Sequence, residues 1–445
     1  MEGALAWMGP PGEPGPRRRT TPRLSRRRFL RTAALGVASA AAASALPACR
    51  LGSVADRPQA DRSPPVDWER WWSLQERAGV LDFANWPYYI DRARGRRPSL
   101  ELFEEETGIR VHYYRPIRDN ATFLEKIRPS LELGLPTGYD LIVLTNGPEL
   151  SELMRSGWLI PLDHRFLGRF REHAGPLVRN PSWDPGNRFT VAWQSGFTGM
   201  AYAPQAVEAL GREPRSVQDL WDPRLAGRVG MMVDLMELGS FGLLSLGVDP
   251  SMSTPQDWRL AAERLRLQQR TVRPRYYDQG YLNALTRGDV WLTLAWSGDI
   301  FQVRNEGFRE LRFVVPDEGA MLWTDNMMIP ARAAHPVDAM LYMDFVYRPR
   351  IAAMIANWVG YVSPVPEARR IIAEEFGNER LANSPLVFPD AEILGKRVPF
   401  LAKNSRGELE QVSLFLSSRV RNYPVFEAPE EHEEWVRIFG PLLEA

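Results

Sequence analysis

The sequence predicts an α/β fold in two domains or two lobes. Its 445 residues exceed what one compact core usually covers. From Gly79 onward, short apolar runs alternate with amphipathic stretches, the pattern of strands interleaved with helices. No internal repeat, heptad or low-complexity run interrupts that alternation.

Val80 to Ala84 reads as the first strand. Arg97 to Thr107 carries Leu100 and Phe103 on one helical face and stops at Gly108, a helix-ending glycine. Ile109 to Tyr114 is the next strand, and Phe123 to Leu133 a second helix. Tyr139 to Leu144 is nearly continuously apolar, as a strand buried in a parallel sheet must be. The same style returns at Arg228 to Val233, Val290 to Ala295 and Arg312 to Val315. The acidic run Glu427 to Glu434 reads as a solvated helix start.

Composition narrows the function. With 44% hydrophobic and 25% charged residues the chain is an ordinary globular protein. Its formal net charge of zero hides eight arginines among residues 1–48; residues 49–445 carry 47 basic and 53 acidic groups, six negative charges net. That balance argues against nucleic acid as a partner and suits a cationic ligand. One cysteine, Cys49, excludes an intramolecular disulfide and a cysteine zinc site. The five histidines, His112, His164, His173, His335 and His432, show no metal-ligand spacing in the sequence, so neither a structural metal nor a cofactor is expected.

Residues 1–48 read as an export signal. Ser25 to Arg31 is a basic stretch, followed by an Ala-rich apolar run to Leu46 that is too short for a permanent span. Arg26 and Arg27 with Phe29 and Leu30 look like a twin-arginine signal. Leu46-Pro47-Ala48-Cys49 resembles the lipobox of bacterial lipoproteins, with Cys49 as the lipidated N-terminus. Residues 49–78 are then expected to hold that N-terminus and a tether, the proline-bearing segment 50–65 being its flexible part. The mature protein is thereby expected outside the cytoplasm, anchored to a membrane without spanning it.

A collinear series of motifs carries a resemblance. Asn85-Trp86-Pro87-Tyr88-Tyr89-Ile90 follows the first strand; Phe103 to Val111 reads FEEETGIRV; Tyr139 to Val143 precedes Leu150 to Leu162. Ser216 to Gly227, Trp296-Ser297-Gly298-Asp299, Leu322-Trp323-Thr324-Asp325 with Ile329-Pro330, and Val359-Gly360-Tyr361 with Pro364 complete it. In this order, over roughly residues 79–372, the chain resembles the bacterial spermidine/putrescine-binding proteins of polyamine ABC transporters. The last seventy or so residues match poorly. The resemblance implies the two-lobed periplasmic-binding-protein type 2 fold, with hinge-connected α/β lobes and a central ligand cleft. One lobe would hold 79–199 and 326–372, the other 200–325 and 373–445.

A polyamine is a hydrocarbon with ammonium groups at intervals, so its pocket needs carboxylates at the charged points and apolar or aromatic walls between them. By resemblance, Trp86, Tyr89, Trp296, Trp323 and Tyr361 form the walls, Asp234, Glu237 and Asp325 are the acids, and Thr145 supplies a hydroxyl. An aromatic face beside an ammonium contributes roughly 0.5–2 kcal/mol; a charge-assisted hydrogen bond to a carboxylate contributes about 1.5–3 kcal/mol. Spacing alone reads Asp234 and Glu237 as the cap and first turn of a helix, and the tryptophans as core. Pro87 and Tyr88 depart from the family, which often has a hydroxyl and an acid there, so a shorter diamine or another cation is an open reading. The implied partners are a small cation, an ABC permease with its ATPase, and the membrane through the lipid; the protein is expected to act as a monomer. The alternatives are the same fold binding another organic cation, thiamine, an iron complex or an anion; a glycosidase with Asp234 and Asp325 as its acid pair; and a scaffolding lipoprotein that has lost its ligand.

Overall fold

The computed structural model describes residues 66–93, 95–403, 409–416, 419–424, 426 and 428–444. The signal segment, the arginine pair, Cys49 and the segment 50–65 lie outside them. Within the described part of the expected tether, residues 68–73 instead form a helix, α1 (Trp68–Ser73), capped by the Asp67 side chain on the Arg70 amide. The cause is its tryptophans: Trp72 is buried in the first core and donates its indole N–H to the Pro161 carbonyl at 2.9 Å.

The first lobe begins as expected, strand then helix then strand. β1 (Val80–Ala84), α2 (Pro98–Thr107), β2 (Arg110–Tyr114), α3 (Asn120–Glu132) and β3 (Leu141–Thr145) build a parallel sheet in the order β2-β1-β3. α2 ends at Gly108, left-handed at φ 71°, and α3 starts on the Asp119 cap, earlier than the apolar pattern alone marks. α4 (Pro148–Arg155) follows β3 with Leu150 and Leu153 buried.

Two strands that the alternation does not reveal organise the rest. β4 (Thr190–Tyr202) and β9 (Ala320–Met328) are buried along their whole lengths, so they show no alternating pattern. They pair antiparallel from Thr190 with Met328 to Thr198 with Met321, with a bulge between Ala192 and Gln194. The Asp325–Met328 end of β9 pairs with β3, while the Thr198–Tyr202 end of β4 pairs with β7 (Leu292–Trp296). Beyond β7 the second lobe continues in parallel through β5 (Val229–Met232) to β6 (Arg275–Tyr277), and β8 (Arg312–Val314) joins β4 from its other edge. One continuous sheet, β2-β1-β3-β9-β4-β7-β5-β6, thus runs through both lobes, and β4 and β9 are the strands that cross between them.

The cores divide accordingly. One cluster gathers Phe83, Phe103, Trp193, Tyr342 and Tyr347, with the helices α8 (Pro336–Phe345) and α9 (Pro349–Val359). Another gathers Phe241, Trp258, Tyr281 and Trp435, with α5 (Leu235–Leu244), α6 (Pro255–Thr271), α7 (Ser297–Asn305) and α10 (Pro429–Phe439). Leu381, Ala382 and Val387 pack in the first of these. The acidic run does open a helix: Glu430 and Glu431 lie in the first turn of α10. Before it, β10 (Lys396–Lys403) and β11 (Leu409–Leu416) form an antiparallel hairpin, and the short β12 (Val420–Arg421) pairs with β9. Among the described residues no helix is long and apolar enough to cross a membrane.

Candidate functional site

The ends of the strands bring the acids and rings together. In parallel sheets ligands bind at the carboxyl ends of the strands; here the turn after β1 carries Trp86 and Tyr89, β3 ends on Thr145, the loop after β5 carries Asp234, and β7 ends on Trp296. The first turn is bent by Tyr88, exposed and left-handed at φ 58°. Its exit is held by Trp193 at the β4 bulge, which donates to the Tyr89 carbonyl at 3.1 Å.

Asp325 is 5% exposed and faces Thr145 across the β3–β9 pairing, with the threonine hydroxyl donating to Oδ1 at 2.7 Å. Burial pushes its pKa up to about 6, against the stabilising effect of that hydroxyl. The Tyr89 hydroxyl is buried beside Asp325, and burial, followed by the charge of Asp325 and a hydrogen bond to it, raises its pKa far above the ordinary value. Rings continue the wall: Tyr89 meets Tyr361 edge to face at 5.3 Å, and Tyr361 lies 5.3 Å from Trp323. These rings need glycines beneath them. A Cβ at Gly298 would stand 2.6 Å from the Tyr361 ring, and one at Gly196 would overlap Trp323.

Glu237 is 4% exposed on the first turn of α5. Its Oε1 accepts from Thr198 Oγ1 and from the Tyr423 hydroxyl, and the Trp296 side chain also reaches the carboxylate. Burial, then repulsion from Asp234, pushes its pKa up to about 8. Thr198 also accepts from the Trp323 indole at 3.0 Å, which ties that wall to the acid. Asp234 does cap α5, accepting from the Met236 and Glu237 amides at 2.9 and 3.0 Å, and burial still raises its pKa.

Not every expected residue converges. Trp86 is half-buried against the first core and against a smaller cluster that includes Phe123, Ile142 and Leu144, its indole N–H bound to the Val143 carbonyl at 3.1 Å, and among the described residues no ring pair joins it to the Tyr89–Tyr361–Trp323 group. Trp296 does converge: it packs edge to face on Tyr281 at 5.9 Å, and its side chain reaches the Glu237 carboxylate and holds that pKa down.

The geometry adds groups that sequence reasoning passed over. Asp299, three residues after Trp296 in the same motif, accepts from Tyr361 at 2.6 Å and from Tyr281 at 2.8 Å, and burial raises its pKa. Its place beside Trp296 was the available signal. Tyr423 belongs to the poorly matching C-terminal segment and had none. Glu149 at the start of α4 has its pKa pushed up to about 7 by burial, with repulsion from Asp234 and Asp119 added. Among the described residues, no Lys or Arg forms an ion pair with Asp234, Glu237, Asp299 or Asp325. Such a constellation lacks a cation and offers rings to its hydrocarbon.

Known proteins agree with this architecture. A family model described as bacterial extracellular solute-binding protein matches residues 138–397. The putrescine/agmatine-binding protein of Pseudomonas aeruginosa is 30% identical over 317 residues, 67% of this chain and 82% of that protein. The spermidine/putrescine-binding periplasmic protein of Escherichia coli is 28% identical over 318 residues, 71% of this chain and 84% of that protein. Among solved structures, a putative spermidine/putrescine ABC transporter protein from Listeria monocytogenes superposes with a TM-score of 0.66 at 22% identity, covering 82% of this chain and 99% of its own. The spermidine/putrescine substrate-binding protein PotD of Streptococcus pneumoniae gives 0.63 at 23%, covering 82% and 98%. Their likeness shows the same two-lobed fold around a central cleft. By family match, by relatives and by fold, the chain belongs to the bacterial extracellular solute-binding proteins.

Proposed function

We propose that this chain is the solute-binding lipoprotein of an ABC importer and that its cleft captures a polyamine such as putrescine or spermidine. The observation that carries the reading is the set of buried carboxylates, Glu237 and Asp325 above all, that lack a basic partner among the described residues and stand beside Tyr89, Tyr361 and Trp323. An ammonium between Thr145 and Tyr89 would neutralise Asp325; another at Glu237 would be completed by Asp299 and Asp234. The aromatic rings would cover the methylenes between them. Trp86 and Trp296 would flank this wall.

The lobes we propose are 79–199 with 326–372, and 200–325 with 373–445, residues 373–387 excepted because Leu381, Ala382 and Val387 pack in the first core. Closure would bend β4 and β9 where they cross. Cys49 would carry the lipid, after export by the twin-arginine signal, so that the protein delivers its ligand at the membrane to a permease and ATPase. The cleft has the character of a capture site and is assigned no catalytic role.

Calorimetry on residues 50–445 tests the reading. Putrescine or spermidine should bind once per chain with a change in tryptophan fluorescence. Heat from an anion or a sugar and none from any polyamine would reject it.

A further inference from the structure

A second group of polar side chains lies on the first-lobe strands, before their carboxyl ends. Asp82 in β1 pairs in register with His112 in β2, Asp140 immediately precedes β3, and His335 is the N-cap residue of α8. His335 Nδ1 stands 2.8 Å from Asp140 Oδ2, and His112 Nδ1 stands 3.1 Å from Asp82 Oδ1. One ligand atom each from Asp82, Asp140 and His335 falls within 4.8 Å of the others. Three separate segments thus converge on one spot, and His112 adjoins it through Asp82. We propose that Asp82, Asp140 and His335, with His112 as the fourth ligand, bind one divalent transition-metal ion, zinc foremost.

Three features support this. A zinc ion bound at about 2.0–2.2 Å sets neighbouring ligand atoms roughly 3–3.5 Å apart, so the observed spacings need only small side-chain movements. Two imidazoles with two carboxylates suit zinc or a neighbouring transition metal; calcium and magnesium call for oxygen ligands. The carboxylates are also held in place from behind: Asp140 accepts the His335 and Asp82 amides, both at 2.9 Å, and the Tyr114 hydroxyl donates to Asp82 at 3.1 Å. Among the described residues no Lys or Arg pairs with Asp82 or Asp140, leaving two negative charges for a dication. On binding, each imidazole would coordinate as the neutral ring, its shared Nδ1 proton passing to Nε2 or to water. The site is remote from the polyamine cleft and does not rest on that assignment.

The test uses the full chain carrying Cys49→Ser, so that the thiol does not compete. After chelator treatment and zinc loading, atomic emission counts the metal, and competition with a chromogenic chelator measures affinity. One zinc per chain is expected, and His335→Gln and Asp82→Asn should each weaken it at least about tenfold, the scale that supporting groups alone produce. Circular dichroism and an unchanged denaturation midpoint of the metal-free protein verify that the variants fold; His112→Gln, on an exposed strand position, serves if either does not. Substoichiometric zinc on folded protein would overturn the proposal. So would one zinc held with full affinity by the variants, since the metal would then sit elsewhere and the four side chains would be a hydrogen-bonded network only.

Discussion

Thr145 and Asp325 face each other across two strands of different origin, and the threonine hydroxyl donates to the buried carboxylate at 2.7 Å. The acid proposed to recognise an ammonium is therefore aimed by the residue beside it. Asp325→Asn keeps the shape and removes the charge. It should cost on the order of 3–5 kcal/mol in binding, or two to four decades in affinity, as expected for a buried pair broken from one side. Thr145→Ala should cost roughly 1 kcal/mol. Because the two groups touch, the double variant should lose less than the sum. Calorimetry on the three variants decides; an Asp325→Asn variant within threefold of wild type would remove Asp325 from the site.

The raised acids predict a pH dependence with a definite sign. Glu237 titrates at about 8 and Asp325 at about 6, above the ordinary 4.5 and 3.8, so the ligand-free folded protein holds more protons than the unfolded chain between those limits. Its stability should fall as pH rises from about 4 to 8, and a bound ammonium should restore it. Polyamine affinity should rise over pH 6–8, with proton release at pH 7. Calorimetry in buffers of different ionisation enthalpy measures that release; proton uptake would contradict the assignment.

Tyr423 supplies a hydroxyl to Glu237 at 2.6 Å. Tyr423→Phe removes it, so Glu237 should titrate higher still and ligand affinity at pH 7 should fall by roughly ten- to a hundredfold, the worth of a hydrogen bond to a charged group. Raising the pH to 9 should recover part of the loss. A pH-independent deficit would mean that the ring, not the hydroxyl, matters.

Gly298→Ala would set a methyl against the Tyr361 ring at 2.6 Å. The ring must shift away from Asp299, so stability should drop by about 1–3 kcal/mol, as overpacking costs, and binding should weaken as well. Denaturant titration beside calorimetry separates the two effects. Unaltered binding would show that Tyr361 does not line the cleft.

Cys49 lies outside the described residues, and its role is a prediction from the sequence. Cys49→Ser should move the protein from the membrane fraction to the soluble one. Retention in the membrane fraction would count against lipidation.

The sequence by itself determined the local elements and the family. Val80–Ala84 was legible residue for residue because it is a short apolar run, and Gly108 marked the end of α2 because glycine takes the left-handed cap at no steric cost. The motif series, in order, was enough for the resemblance and for nine candidate site positions. What only the tertiary structure decided is which side chains meet. β4 and β9 are buried on both faces and carry no period to read, so the crossing and the Thr145–Asp325 pairing could not be foreseen from pattern. Tyr423 stands 186 positions from Glu237 and Asp299 stands 62 from Tyr361, and each pair is joined by a hydroxyl on a carboxylate. Asp82, Asp140 and His335 have no metal-binding spacing along the chain, yet topology brings them together, and register sets His112 beside Asp82. A sequence records local preference, whereas contacts between distant segments are set by how strands pair and cores close.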